Sequence, residues 1–112
     1  MKAVSLEQLG FESFAGLVKT KFRVWTGLGV ALELELAAVI PSPTAVPGGT
    51  DGLPYEQFTL YFLGPADRLL PQRIYWFEAA PLGRFEMFLV PVGHDPTGFR
   101  YEAVFNRSVK PR

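Results

Sequence analysis

The feature that most constrains this chain is an alternation of side-chain character with a period of two. Val30, Leu32, Leu34 and Leu36 interleave with Ala31, Glu33, Glu35 and Ala37. Only an extended strand, whose successive side chains leave on opposite faces, puts all four large aliphatic groups on one side. The preceding stretch behaves alike, with Thr20, Phe22 and Val24 on one face and Lys19, Lys21 and Arg23 on the other. Thr26, Gly27, Leu28 and Gly29 stand between the two runs, a glycine-rich turn that joins them as a hairpin. Across it the basic residues oppose Glu33 and Glu35, pairs worth only about 0.2–1 kcal/mol each, so they set register more than stability.

Four further strands follow: Gln57 to Leu63, Arg73 to Glu78, Arg84 to Val92 and Phe99 to Asn106. Gly64, Pro65, Pro71, Pro81, Gly83 and Gly98 sit where these ladders should begin or end. Six strands with mostly short connections predict one all-β domain over residues 1–112, an antiparallel meander closed as a small barrel or folded as a sandwich. Helix is confined to the start. Ser5, Leu6, Glu7 and Gln8 fit a capping box that ends at Gly10, and Phe11 to Gly16 reads as an apolar plug leading into the first strand. The long connector, Pro41 to Pro54 (41–54), holds four prolines and three glycines, which remove donors and favour turns.

Composition excludes several classes. A chain of 112 residues that is 48% hydrophobic, with 11 basic and 11 acidic side chains, is neither disordered nor drawn by net charge to nucleic acid or anionic lipid. Without cysteine there are no disulfides, thiolate metal sites or cysteine nucleophiles. The N-terminus carries no apolar run of signal-peptide length. The longest uncharged apolar stretch, Met87 to Val92, falls far short of the roughly 20 residues of a membrane helix. A soluble, cytoplasmic protein is expected.

A search for chemistry leaves little. The sole histidine, His94, lies in a run (Gly93, His94, Asp95, Pro96, Thr97, Gly98) with the composition of a turn, and one histidine cannot build a multi-histidine zinc site. Ser5, Ser13, Ser42 and Ser108 lack the Gly-x-Ser-x-Gly setting of a nucleophile elbow. Glu33 with Glu35 matches a solvated strand face as well as it matches paired catalytic carboxylates. Gly48, Gly49 and Gly52 lack the lysine of a phosphate loop. No catalytic residue, cofactor or metal is expected, and the chain is read as a non-enzyme.

The later strands are apolar on both faces. Phe58, Leu60 and Phe62 oppose Thr59, Tyr61 and Leu63; Ile74 and Trp76 oppose Tyr75 and Phe77; Phe85, Met87 and Leu89 oppose Phe88 and Val90. An antiparallel sheet with one wet face should not look like this. Either the N-terminal plug covers the second face or another chain does. Tyr61, Leu63, Tyr75, Phe77 and Phe88 are therefore the expected partner-binding residues, for a protein partner or a homo-oligomer.

Two other readings stay open. A small-ligand barrel would use an interior lined by Phe58, Phe62, Trp76 and Phe85, and would need a cavity of roughly 300 Å³ or more. A single-strand nucleic-acid module of the OB type would stack bases on Tyr61, Tyr75 and Phe88. Only the tail residues Arg107, Lys110 and Arg112 form a basic cluster, so nucleic acid is not the expected partner.

Three segments together carry a resemblance: Glu56 to Phe62 (Glu-Gln-Phe-Thr-Leu-Tyr-Phe), Phe88 to Gly93 (Phe-Leu-Val-Pro-Val-Gly) and Arg100 to Asn106 (Arg-Tyr-Glu-Ala-Val-Phe-Asn), with Phe14-Ala-Gly16 before a basic strand. The chain resembles a family of small bacterial proteins of unknown function, similar to ones encoded beside phage-tail-collar-like proteins. The resemblance implies an all-β accessory protein of a tail-like or other multiprotein assembly. It implies no catalytic residue.

Overall fold

The period-two pattern and its breakers place the strands closely. In a computed structural model, which describes residues 9–27, 29–41 and 55–108, a short helix α1 (Phe11–Ala15) precedes six strands. These are β1 (Lys21–Gly27), β2 (Val30–Pro41), β3 (Tyr55–Gly64), β4 (Arg73–Ala79), β5 (Gly83–Asp95) and β6 (Gly98–Ser108). The capping box at Ser5 to Gln8 and most of the 41–54 connector fall outside the described residues. Gly10 begins α1 rather than ending a helix: its N–H donates to Ser13 Oγ while the Ser13 N–H donates to the Gly10 carbonyl. The regular strand begins at Lys21, after Lys19 takes a left-handed turn at φ 77°, although the Lys19 N–H donates to the Leu36 carbonyl and the Leu36 N–H to the Thr20 carbonyl.

The strands close into a barrel in the order β1-β2-β3-β6-β5-β4. Every neighbouring pair is antiparallel. The all-β barrel expected from the alternation is present, but its path is not a meander. β3 pairs with β6 from Tyr55↔Ser108 to Gly64↔Phe99, and β4 returns to pair with β1. The order β4-β1-β2-β3 is a Greek key. It forms because residues 65–72 do not make a hairpin; they cross the barrel mouth, since β3 and β4 stand opposite each other in the ring. The expected charge pairing across the β1–β2 hairpin is found, with Lys21↔Glu35 and Arg23↔Glu33 in register. Pro91 is accommodated where the β5–β6 register shifts between Pro91 and Gly93, a bulge being one of the few places a ladder tolerates proline.

Inward-facing side chains fill the barrel. Phe22, Phe62, Phe77 and Phe85 run in ring-to-ring contact, with centroids 5.5 Å apart for Phe22–Phe62, 5.6 Å for Phe62–Phe77 and 5.7 Å for Phe77–Phe85. Phe58 stacks on Phe105 at 4.5 Å. Leu34, Leu36, Leu60, Met87 and Leu89 occupy the space between them. A barrel of so few strands has room for little but its own side chains.

Each end has its own stopper. At the end where β1, β3 and β5 begin, Phe14 of α1 is completely buried against Phe22, Phe58, Phe85 and Phe105. The plug therefore covers an end of the barrel and not the outer face of its later strands, as had been one expectation. At the other end the crossing segment buries Leu70. Two tyrosines hold that segment from inside. The Leu70 N–H donates to the Tyr101 hydroxyl at 2.9 Å, and the Tyr75 hydroxyl donates to the Pro71 carbonyl at 2.6 Å.

Tyr101→Phe leaves the Leu70 N–H unpaired in a buried place and is expected to cost about 1–3 kcal/mol, read as a lower denaturant midpoint at unchanged m. Burial pushes the hydroxyls of Tyr75 and Tyr101 above their ordinary value of 10.0. The unfolded chain therefore loses these protons first as pH rises. The stability held by the neutral tyrosines is complete below about pH 10 and declines above it. Unfolding free energy measured against pH should fall in that alkaline range, and less steeply in Tyr101→Phe.

Candidate functional site

The interior is filled by its own side chains, and the outer wall carries both charged rows and exposed apolar groups. The charged side is carried by β1 and β2, with β4 and β5 extending one row of it. Register places Glu33, Arg23, Glu78 and Arg84 in one cross-strand row of alternating sign. Arg23 and Arg84 lie over the Trp25 ring at 5.9 and 5.4 Å, and Arg84 Nη2 sits 3.8 Å from Glu78 Oε1. Such partly exposed ion pairs contribute about 0–1 kcal/mol. Trp25 Nε1 and Arg84 Nε are buried without a hydrogen-bond partner, a cost that the guanidinium–indole stacking has to offset. Two shallow depressions open on this side, of about 260 Å³ beside Arg23 and Glu78 and about 240 Å³ beside Glu35 and Leu63. Lys21 and Glu33 line both.

Exposed apolar groups lie beside that row, on β4, β5 and β6, starting from Trp76, which pairs with Trp25 of β1. Ile74 and Val104 are each 61% exposed, Phe88 48% and Trp76 40%. Ile74 and Phe88 are direct cross-strand partners, as are Trp76 and Glu86. Val104 stands on the outer face of β6 opposite Thr59 of β3. A strip of large apolar groups thus crosses three neighbouring strands.

The residues expected to meet a partner divide between inside and outside. Phe88 is exposed on the apolar side, and Tyr61 and Leu63 are half-buried on the outer face of β3. Tyr75 and Phe77 are corrections: both point into the barrel, 4% and 0% exposed. Their ladder partners Met87 and Phe85 are core residues, and the Tyr75 hydroxyl is spent on Pro71. Ile74 and Trp76 take the outer positions instead, so Trp76 does not line the interior. Tyr75 is likewise removed from any outer stacking platform with Tyr61 and Phe88. Alternation could not have chosen between these sets, because both members of each pair are apolar. Val104, overlooked in the sequence, is flanked by the buried Ala103 and Phe105, and that phase was its only signal.

His94 pairs with Phe99 one step before the end of the β5–β6 ladder and stacks on that ring at 4.2 Å. The adjoining turn is held by Asp95, which accepts from the Thr97 hydroxyl and N–H and from Arg100. Those hydrogen bonds keep its carboxyl well below the usual carboxylate range. Among the described residues no group of three or more His, Asp or Glu side chains is placed to hold a metal ion. No helix among them is long and apolar enough to cross a membrane.

Taken together, the features define a Greek-key β-barrel stoppered at both ends, with a charged and an apolar side to its wall. The chain belongs to a domain of unknown function, DUF6916, whose family model matches residues 9–105. That match runs from the buried Leu9 beside α1 to Phe105 near the end of β6. No curated protein and no solved structure matches the chain.

Proposed function

We propose that this protein is a non-catalytic interaction module that docks into a multiprotein assembly through the apolar side of its wall. The observation that carries the reading is the strip formed by Ile74, Trp76, Phe88 and Val104, exposed on a barrel whose core is already complete without them. The largest apolar patch on a small protein is often a functional one. The packed interior directs recognition to the wall. The resemblance to proteins encoded beside phage-tail-collar-like proteins gives the assembly its suggested form, an accessory role in a tail-like structure. A cytoplasmic setting suits a chain that has no cysteine and so needs no oxidising compartment.

The test is site-specific photo-crosslinking in the cell that encodes the protein. A benzophenone amino acid in place of Phe88 should give a covalent adduct to a protein identifiable by mass spectrometry, while the same probe at Glu33, on the charged side, should not. Equal labelling at both positions, or none at position 88, would overturn the proposal.

A further inference from the structure

We infer that the occupant of the apolar side is an extended strand of another protein, added to the free edge of β5 beside Phe88 and carrying a basic residue two places to either side of an apolar one. This rests on the docking reading above and gives the partner its chemistry.

The ring of strands is not zipped along its whole length. β5 pairs with β6 only from Val90↔Glu102 to Asp95↔Gly98. From Gly83 to Leu89 it pairs with β4, and among the described residues no strand lies against its other edge there. Were the β5–β6 register to run on, it would set Leu89 against Ala103 and Phe88 against Val104. The inner pair, Leu89 and Ala103, is buried, and below it the Phe14 ring bridges the parted strands, 5.9 Å from Phe85 and 5.5 Å from Phe105. The outer pair, Phe88 and Val104, is left exposed on the two lips of the seam. A free backbone edge and two unmatched apolar groups therefore coincide.

A free edge presents a row of N–H and C=O groups, and an extended backbone is what answers such a row. Period two then assigns the side chains of the added strand. Those turned inward continue the buried row of Phe85, Met87 and Leu89 and must be small and apolar. Those turned outward continue the row of Glu86, Phe88 and Val90. The one level with Phe88 lies between that ring and Val104 and is apolar. Two places away it meets Glu86 on one side and, on the other, Glu102, which stands opposite Val90. Among the described residues neither glutamate has an ion-pair partner, whereas the nearby Arg84 and Arg100 are taken by Glu78 and Asp95. Lys or Arg at both places completes the match: basic, small, apolar, small, basic.

Fluorescence polarisation of a labelled Thr-Lys-Val-Ile-Val-Lys-Thr peptide with the full chain should show saturable binding with Kd below about 1 mM. Glu86→Lys combined with Glu102→Lys should melt as the parent does and weaken binding about 10-fold or more. A copy of the peptide N-methylated at its three central residues lacks the donors of a ladder and should not bind. Bound peptide should slow amide exchange within Arg84 to Leu89, and in the cell the adduct captured at position 88 should map to a segment with the same alternation. No binding up to about 1 mM, equal binding of the N-methylated copy, or unchanged exchange in Arg84 to Leu89 would overturn the inference. So would a parent chain that runs as a dimer on light scattering and excludes the peptide, which gives the edge to a second copy. An adduct that maps to a segment without the alternation sinks the strand alone; no adduct at position 88 sinks the docking reading too.

Discussion

Gly98→Ala is expected to be the most damaging single-methyl change in this protein. Gly98 has φ 146°, a conformation that L side chains rarely adopt and that adds about 1–3 kcal/mol of strain. The space is also taken. A Cβ there would stand 2.0 Å from the carbonyl oxygen of Gly64 and 3.3 Å from Leu63 Cδ1. The obstacle is backbone, held by the β3–β6 ladder at Gly64↔Phe99, so relief requires the longest strand pairing to shift. The expected cost is about 4 kcal/mol or more, in the range reserved for a few severe mechanisms. It should appear as a fall in melting temperature of more than about 10 °C. Gly93→Ala is the control: its Cβ would approach only the Arg100 side chain, at 3.8 Å, and the expected change is within about 1 kcal/mol. Equal melting temperatures for the two variants would show that the β3–β6 contact is not as tight as described.

Phe14→Ala is expected to cost about 3–5 kcal/mol, the usual penalty for deleting a fully buried ring. Phe14 is the keystone of the lower stopper, with ring centroids 5.5 Å from Phe105, 5.9 Å from Phe85, 6.3 Å from Phe58 and 6.4 Å from Phe22. Helix α1 is five residues long, far below the length at which a helix stands alone in water, so it persists only while Phe14 is seated. Denaturant unfolding should give a midpoint loss of that size, and amide exchange at Ser13 and Leu17 should rise to that of an open segment. Phe14→Leu, which keeps most of the hydrophobic contact, should recover about half of the loss. If Phe14→Ala left exchange at Ser13 unchanged, α1 would be held by something other than this ring.

The two effects illustrate what could and could not be read in advance. The strand positions were legible because glycine and proline act locally: Gly64, Pro71, Pro81 and Gly98 end or begin ladders by their own backbone chemistry. The β1–β2 hairpin was legible with its register, since Lys21 and Arg23 face Glu35 and Glu33 only if the turn falls at Gly27 to Gly29. The face of β4 was not. Ile74, Tyr75, Trp76 and Phe77 are all apolar or aromatic, so alternation supplies a period without a phase. Phase came from outside the strand, through Met87 and Phe85 on β5 and the reach of the Tyr75 hydroxyl to Pro71. Two of the five expected partner-binding residues, Tyr75 and Phe77, were misplaced for that one reason, while Phe88, next to the inward Met87 and Leu89, fell on the outer face.

Local sequence, then, determined that this protein is made of six strands, where each lies to within a few residues, and that the basic residues of β1 face the glutamates of β2. Those properties depend on neighbours a few residues apart. The tertiary structure alone decided that β3 would close on β6, that residues 65–72 would cross the mouth, that Phe14 would stopper an end, and that Ile74 and Trp76 would face outward. Each of those choices sets contacts between residues distant in the chain, where loop-closure entropy is weighed against burial of apolar surface, and no short window of sequence contains both sides of that balance.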